Sequence, residues 1–505
     1  MKTNKILFGV LAIGFASLSI SCDDFFDRKP TDSVLATESV TTVAEAQVAL
    51  NGVYRRMTQS AYYGRQFLFY ADMKGGDFYV PSSGRSDDAL FSFNHEHDRN
   101  SYSGYWNGIY SIIMLSNSLL ANIERGNVTT LTAADQTNLE NIKGQALCVR
   151  ALAHFDLVRL YGTPYLKSQG SEDGVPVVKR VLDAKDQLQR NSVAEVYAAV
   201  IQDFTEAIPL LKTARLNGGF NQYAAKALLA RVNLYKGDWD QAYTLAKDVI
   251  DNGGYSLYTP ANWAASWKSQ FGSESIFELY VVNTEADLGN SSPRSFLTPM
   301  YVNTSYLAGA VCSDLYLNRL NEDATDVRQA LLDIDEYGNP IRNPERSIPG
   351  RKGWLRKYDG DGKATGTAVN IKVVRLSEVY MIAAEAAVKK SSPDKANAVS
   401  WLNEVRKRAP LLAPALAAES TDALMDKIMN ERAKELIAEG HRYFDLMRQG
   451  LKVAFDPPKF SEPTIPANGR PAEPFDWNFY KCILPIGVDE INTNPDIRQN
   501  PGYSK

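Results

Sequence analysis

The chain has 505 residues, with 59 acidic side chains against 55 lysines and arginines and a formal net charge of −4. This length is sufficient for a large buried core and for one to three domains. A mildly acidic chain without a basic cluster argues against binding to a nucleic-acid backbone. The four cysteines are widely spaced, so they suggest neither a disulfide framework nor a CxxC metal site.

The N-terminus is organised like a signal peptide, which we assign to residues 1–21. Lys2 and Lys5 precede an uncharged, mostly apolar run over residues 6–20. That run is short for a membrane span, and small residues follow it, as at a cleavage site. The mature chain is therefore predicted to be exported.

Cys22 follows directly after a small residue, which is typical of a lipoprotein whose cysteine thiol is acylated. Ser19 stands where the lipoprotein pattern favours leucine, so ordinary secretion with a free thiol is the alternative. We predict a lipidated tether over residues 22–38. The mature protein would then be anchored to the membrane without crossing it.

Residues 39–253 are predicted to form an N-terminal helical region. Apolar residues recur at three- or four-residue steps over 39–57 and 103–125, which predicts a helix in each range. Between them, residues 62–99 are aromatic and charged, and glycine and proline divide this stretch into predicted loops.

Helix pairs with small residues at a fixed interval resemble degenerate tetratricopeptide repeats. Ala242 lies twelve residues after Ala230, and Ala396 lies twelve residues after Ala384. Small side chains at that interval let the two helices of a repeat approach closely. We predict four such pairs, over residues 139–162 continuing through 193–211, 222–252, 375–408 and 421–449.

Residues 254–370 interrupt this pattern. The segment is rich in glycine, proline, asparagine and aromatic residues, with short helices predicted near Trp263 and over Val311–Arg319 and a strand over Ser275–Asn283. A long irregular insertion between helices is more often functional than filler. The predicted fold is mostly α, a degenerate tetratricopeptide-repeat scaffold with this inserted loop-rich subdomain, and residues 371–505 form the C-terminal helical region.

The stretch Asn430–Gly450 concentrates charge on predicted helices. Glu431, Glu435 and Glu439 recur at four-residue steps, and an arginine, an aspartate and a second arginine follow at three-residue steps. The stretch supplies neither a nucleophile nor a metal cage. We interpret these residues as long charged side chains that pair between packed helices.

The pattern ER..EL..EG.R..DL.R, from Glu431 to Arg448, resembles the C-terminal signature of the SusD/RagB family, outer-membrane lipoproteins of Bacteroidetes. The segment LPIGVDEINTNPDIRQNPGY, from Leu484 to Tyr503, is similar to the end of that family, with its Asn-Pro-Gly-Tyr tail. Three aspartates after Cys22 resemble the acidic tag that directs such lipoproteins to the cell surface. The resemblance covers essentially the whole mature chain.

This resemblance implies a surface-exposed, lipid-anchored protein of the outer membrane whose partner is a SusC-like TonB-dependent transporter. The protein would capture an oligosaccharide, close over the transporter barrel and hand the ligand into it without breaking a bond. Peptide capture, as in RagB-type members, is the alternative within the family. A surface enzyme that acts on glycans is the alternative from another class.

Motifs for catalysis and metal binding are missing from the sequence. His95-Glu96-His97 lacks the HExxH spacing, and we interpret it as a surface loop. The acidic stretches at 333–335 and 359–361 lack calcium-loop ligands and are interpreted as turns, with a looser calcium site left open. We therefore expect no enzyme activity, no cofactor and no metal.

Aromatic residues, 10% of the chain, are the positive signal for a ligand. A sugar presents an apolar C–H face and a rim of hydroxyls, so its binder needs a flat ring flanked by polar side chains. The close pair Trp263 and Trp267 favours a glycan over a peptide. Packing of such rings inside the protein is the alternative. Carried over by region, the resemblance points to ligand contacts at Asp72, Arg85, Trp106, Trp263, Trp267, Tyr301 and Tyr306.

Overall fold

Helices and short strands make up the computed structural model, which describes residues 40–79, 88–96, 103–183, 185–281, 297, 310–332, 355–358, 369–455, 469 and 471–504. The helices are α1 (Val43–Met57), α2 (Gln66–Lys74), α3 (Asp88–Phe91), α4 (Ser103–Glu124), α5 (Ala133–Tyr161), α6 (Tyr165–Ser168), α7 (Val193–Ala207), α8 (Gln222–Lys236), α9 (Trp239–Asn252), α10 (Pro260–Ser266), α11 (Asp314–Leu320), α12 (Leu376–Lys389), α13 (Lys395–Arg406), α14 (Thr421–Glu435), α15 (Arg442–Arg448) and α16 (Val488–Thr493). The strands are β1 (Phe78–Tyr79), β2 (Ser275–Leu279), β3 (Val311–Cys312) and β4 (Ile371–Arg375).

Local capping residues fix where several helices begin and end. The Thr42 hydroxyl accepts the Glu45 N–H, while the Glu45 carboxylate accepts the Thr42 N–H, a capping box that starts α1. The same reciprocal pair precedes α5 and α7. Gly237 ends α8 in the left-handed region, with φ of +83°, so α9 begins two residues later and packs against α8.

Two helices, α5 and α12, form the centre of the helical packing. Nearly every side chain of α5 from Asn141 to Tyr161 is buried, with α1, α4 and α7 packed around it. α12 is buried over most of its length and contacts α8, α9, α13 and α14. Since neighbours surround its buried part, α5 lacks the one-sided apolar stripe of a surface helix.

Antiparallel strand pairs tie the irregular segment to the helices. β1 pairs with β3, with Phe78 opposite Cys312. β2 pairs with β4, whose last residue immediately precedes α12, and all residues of these two strands are buried. The strand predicted over Ser275–Asn283 is confirmed over Ser275–Leu279. Apolar residues of the irregular segment join the same core cluster as the helices.

A buried network of carboxylates and cations connects α14 to the irregular segment. Glu435, at the end of α14, is fully buried and its carboxylate pairs with the guanidinium groups of Arg328, Arg375 and Arg408. Glu439 accepts hydrogen bonds from Arg375 and from the Lys357 ammonium, both within 2.8 Å. Pairing between packed helices, as predicted for this stretch, is confirmed for Arg448 on α15 and Glu385 on α12, at 2.6 Å. The pairs of Glu435 and Glu439 instead reach β4 and residues outside the α-helices.

The mostly helical fold is confirmed, with two corrections. Residues 66–74 and 88–91, predicted to be loop, form α2 and α3. The helix α2 is buried on nearly all sides, so its sequence shows no one-sided apolar pattern from which it could be predicted. In the pair α12 and α13, Ala396 is exposed and Ala398 is the small residue in the core. The repeat comparison and the boundaries of the regions stay predictions.

Removal of the Glu435 carboxylate should destabilise the protein strongly. In Glu435→Ala, three buried arginines lose a shared partner, and we expect the free energy of unfolding to fall by about 3–5 kcal/mol. Chemical denaturation measures this change. The control is Glu404→Ala, whose ion pair with Lys407 is exposed and should contribute less than about 1 kcal/mol. Equal losses in both variants would contradict the central role of the network.

Acid should destabilise the protein through the same network. Burial raises the pKa of Glu439, but Arg375 and Lys357 outweigh it and lower the pKa to about 2. The unfolded chain, with an ordinary glutamate pKa near 4.5, binds the proton first, so stability falls as the pH drops from about 5 towards 2. The denaturation midpoint should decrease from pH 5 to pH 3, and less steeply in Glu439→Gln. Identical slopes for the two proteins would rule out this contribution.

Candidate functional site: the Trp106 groove

Asp72 lies inside the protein, on α2. Its side chain is buried, and its carboxylate accepts the Gly440 N–H at 3.2 Å. Gly440 has a positive φ of +75° and follows the charged helix α14, so Asp72 holds the turn that leads into α15. In this structure Asp72 serves the fold and offers no surface to a ligand.

Trp263 and Trp267 also lie in the core, and neither ring provides the exposed surface that their spacing predicts. The Trp263 indole N–H donates to Glu435 at 3.3 Å, and only 1% of the residue is exposed. The Trp267 ring lies 4.1 Å from the Lys357 ammonium, where its negative face stabilises the cation. Both tryptophans cover the ion network, so they no longer favour a glycan over a peptide.

The remaining predicted ligand contacts except Trp106 lie outside the described residues. These contacts are Arg85, Tyr301 and Tyr306. The predicted lipidation site Cys22 and the acidic turns at 333–335 and 359–361 also lie outside the described residues.

His95 does not lie on a surface loop, and that prediction is wrong. The residue is fully buried, with its ring nitrogens 3.0 Å from the Lys74 ammonium and 3.0 Å from the Tyr503 hydroxyl. Tyr503 in turn donates to the Ile483 carbonyl. Burial lowers the pKa of His95 well below its usual range, and the ring connects the C-terminal tail to the N-terminal part of the chain.

Trp106 lines a cavity of about 360 Å³ that we name the Trp106 groove. Its walls are the first half of α4, residues 176–182 together with 185–188, and α16. A volume of this size lies at the lower end of small-molecule sites. The lining residues are Trp106, Asn107, Tyr110, Ser111, Met114, Pro176, Val178, Leu182, Lys185, Asp186, Gln187, Leu188, Glu490, Thr493 and Asn494.

Side chains of α4 form hydrogen bonds with the other two walls of the groove, which are helix α16 and the segment that begins at Pro176. The Trp106 indole N–H donates to the Glu490 carboxylate at 3.0 Å, and the Tyr110 hydroxyl donates to the Pro176 carbonyl at 2.8 Å. The Trp106 ring packs against Tyr110 and, edge to face, against Tyr161. Burial raises the pKa of Glu490, an effect that the indole N–H opposes. Trp106 is itself 6% exposed, so it supports the groove floor and shows little of its ring.

The rim of the groove is polar, while its floor is apolar. Asn107 and Gln187 are exposed, and Gln187 donates to the Thr493 carbonyl at 3.2 Å. Met114, Leu182 and Leu188 are half-buried and supply apolar surface. This arrangement suits a ligand that has both an apolar face and hydroxyl or amide groups at its edge.

The C-terminal tail reaches the groove because two polar side chains hold it in place. The Arg190 guanidinium donates to the Tyr161 carbonyl and to the Asn500 side chain, at 3.1 and 2.8 Å. Asn500 donates to the Leu484 carbonyl at 2.7 Å, which closes the tail into a loop around α16. The sequence motif at the tail, from Leu484 to Tyr503, therefore has a structural role, and we call it the tail staple. Glu490 lies within this motif, and it was not identified from the sequence as a groove residue.

The described part of the chain shows no activated nucleophile in the groove and no cluster of three or more metal-ligating side chains. Ser111 donates to the Gly108 carbonyl within its own helix, at 2.7 Å. The Arg180 guanidinium lowers the pKa of Asp186 to about 2, so this carboxylate is ionised at neutral pH. Among these residues no helix combines the length and apolar content needed to cross a bilayer.

Comparison with known proteins places the chain among homologues of similar length. A structure of a SusD superfamily protein from Bacteroides thetaiotaomicron superimposes with a TM-score of 0.82 at 33% identity, covering 91% of this chain and 100% of that one. SusD-like protein P2 of Formosa agariphila is 27% identical over the full length of both chains. The starch-binding protein SusD of Bacteroides thetaiotaomicron is 30% identical over 156 residues, 29% of this chain and 25% of its own.

Family models match both halves of the chain. Residues 24–234 match a model described as starch-binding and associating with the outer membrane. Residues 241–503 match the model of the SusD family, and this range contains both the charged signature of α14 and α15 and the tail staple. The chain belongs to the SusD family.

Proposed function

We propose that this protein is a lipid-anchored, surface-exposed nutrient-binding protein of the outer membrane that captures oligosaccharides in the Trp106 groove. It delivers them to a SusC-like TonB-dependent transporter. Family membership supports this role, as do the descriptions of its relatives as starch-binding and outer-membrane associated. The observation that carries the proposal is the apolar floor of the groove beneath a rim of amide, hydroxyl and charged side chains.

A sugar ring fits the chemistry of this groove better than a fully apolar or highly charged ligand. Its C–H face would pack against Tyr110 and Leu188, and its hydroxyls would pair with Asn107 and Gln187. Arg180 and Asp186 already satisfy each other's charge through two hydrogen bonds of 2.7 and 2.8 Å. The groove walls are joined by hydrogen bonds before a ligand arrives, so binding requires little ordering of the protein.

Removal of the rim amides should weaken oligosaccharide binding. We expect the double variant Asn107→Ala/Gln187→Ala to lower affinity by roughly tenfold or more, because two hydrogen-bonding groups are lost. Titration calorimetry would use the purified chain with maltohexaose, laminarihexaose, cellohexaose and xylohexaose, and with a casein digest as a source of peptides. The control is Gln136→Ala, an exposed amide on α5 outside the groove.

Three outcomes would contradict this proposal. Binding of casein peptides alone would identify a peptide-capturing member of the family. Full affinity in the double variant would remove the groove as the capture site. Shortening of any oligosaccharide during the titration, seen by chromatography, would identify an enzyme.

The anchor and the transporter partner are tested together in cells. We expect the wild-type protein to carry a lipid on Cys22, to fractionate with the outer membrane and to co-purify with a TonB-dependent transporter. Cys22→Ser should lose the lipid and leave the membrane fraction, because the acyl chains supply the membrane affinity. Mass spectrometry of the N-terminal peptide measures acylation. An unmodified Cys22 in the wild-type protein would contradict the anchor, and absence of any transporter from the purified material would contradict the partner.

A further inference from the structure

We propose that the protein has a second saccharide site, in a cleft lined by side-chain amides. This amide cleft has a volume of about 630 Å³ and lies between α1, the first half of α5 and the loop 212–219. It shares no lining residue with the Trp106 groove. Its amide side chains are Gln47, Asn51, Asn138, Asn141, Gln145 and Asn217.

The two innermost amides are oriented by hydrogen bonds to the protein. The Tyr54 hydroxyl accepts the Phe220 N–H at 3.1 Å, so its own proton must go to the Gln145 oxygen, at 2.8 Å. The Asn141 oxygen accepts the Lys212 N–H at 3.1 Å. In both side chains the amide oxygen therefore accepts a hydrogen bond from the protein, and the NH₂ group is oriented away from that donor.

Those NH₂ groups are available to a ligand. Gln145 is 2% exposed and Asn141 is 7% exposed, and both line the cleft. Neither amide nitrogen donates to an acceptor within the described ranges, and neither is sealed from solvent. An amide N–H that reaches solvent and has no protein acceptor is placed to donate to a bound molecule or to water that such a molecule displaces.

The loop wall of the cleft approaches Gln145 through the backbone of two glycines, with the Leu216 side chain beside them. Gly218 adopts a positive φ of +77°, and a Cβ atom on Gly219 would lie 2.6 Å from the Gln145 side-chain oxygen. Any other residue at position 219 would collide with the amide that the cleft presents. The glycine pair thus lets the loop backbone come close to Gln145.

The charged residues around the cleft already have partners, which favours a neutral ligand. The Lys212 ammonium donates to the Asn138 oxygen at 2.9 Å, and the Arg215 guanidinium donates to the Phe271 carbonyl at 2.6 Å. The Asp135 carboxylate accepts the Thr132 N–H in the cap of α5. These hydrogen bonds hold the charged side chains against the protein, and with two cations and one carboxylate the lining carries little net charge for an ionic ligand to pair with.

Saccharide hydroxyls match an amide lining because each hydroxyl both donates and accepts a hydrogen bond, as does each amide side chain. Peptide capture commonly uses a strand edge, and the walls of this cleft are two helices and a loop. An oligosaccharide that also occupied the Trp106 groove would gain avidity from a second contact on the same protein. The choice of saccharide over other neutral polyols rests on the proposed function, while the site itself does not depend on the groove.

Substitution of the inner and outer amides separately tests the cleft. Gln145→Glu keeps the oxygen that accepts from Tyr54 and removes the NH₂ donor, and Asn51→Ala/Asn138→Ala removes two exposed amides without touching the core. We expect each variant to lose a binding step for one of the four hexasaccharides, with affinity reduced roughly tenfold. The step that remains should be the one removed by Asn107→Ala/Gln187→Ala. Gln136→Ala, on the same helix as Gln145 but outside the cleft, is the matched control.

The outcomes separate this inference from the proposed function. Two binding steps in the wild type, with one lost in each set of variants, support both sites. Unchanged binding in the cleft variants, with loss in the groove variant, overturns the amide cleft alone. Loss in the cleft variants only supports the cleft and rejects the groove. Failure of all four hexasaccharides to bind the wild-type protein at millimolar concentration overturns both saccharide assignments.

Discussion

The pairing of buried carboxylates with arginines around Glu435 is the constraint on which the rest of this structure depends. The three arginines that surround Glu435 come from positions 328, 375 and 408, in separate segments of the chain. A buried charge without a partner costs several kcal/mol, so these segments can leave their places only together with the network. The network therefore fixes where the irregular segment sits against α14, and Trp263 and Trp267 exclude water from it.

This arrangement changes where a ligand surface should be sought. Trp263 and Trp267, two aromatic residues of the irregular segment that look suited to a sugar, pack against the buried ion network. The two cavities that we assign to a ligand are formed by the N-terminal helices and the segments that pack on them, including the tail. In the Trp106 groove, Arg190 and Asn500 hold the tail so that α16 forms one wall and faces the wall formed by α4. A motif of the C-terminus thus contributes to a site more than 300 residues earlier in the chain.

The two cavities differ in the way they could recognise a saccharide. The Trp106 groove combines an apolar floor with a polar rim and suits the C–H face of one or two sugar rings. The amide cleft is larger and depends on oriented N–H donors, which suit hydroxyls. Two sites of different chemistry on one rigid scaffold would allow a long chain to be held at two points while each contact stays weak enough for release.

The sequence by itself determined the features that depend on neighbouring residues. Helical periodicity and capping residues such as Thr42 predict most of the helices, because these interactions span three or four positions. The spacing of Glu431 and Glu435 places them on one face of α14, so their pairing with cations could also be predicted, whereas Glu439 lies beyond the end of the helix. The family was recognised from the resemblance of two sequence motifs. A strand as short as β2 was found from its β-branched and aromatic residues.

Tertiary structure alone decided which side chains are buried and which meet at a site. Trp263 is buried against Glu435, and Asp72 is buried against the turn at Gly440. In each pair the two residues are more than 100 positions apart in the sequence. The helix α2 lacks a capping side chain and is covered on nearly all sides, so it has no periodic signal to detect. Glu490 became a groove residue only when the tail folded back onto α4, since burial and long-range contact are properties of the packed chain and not of local sequence.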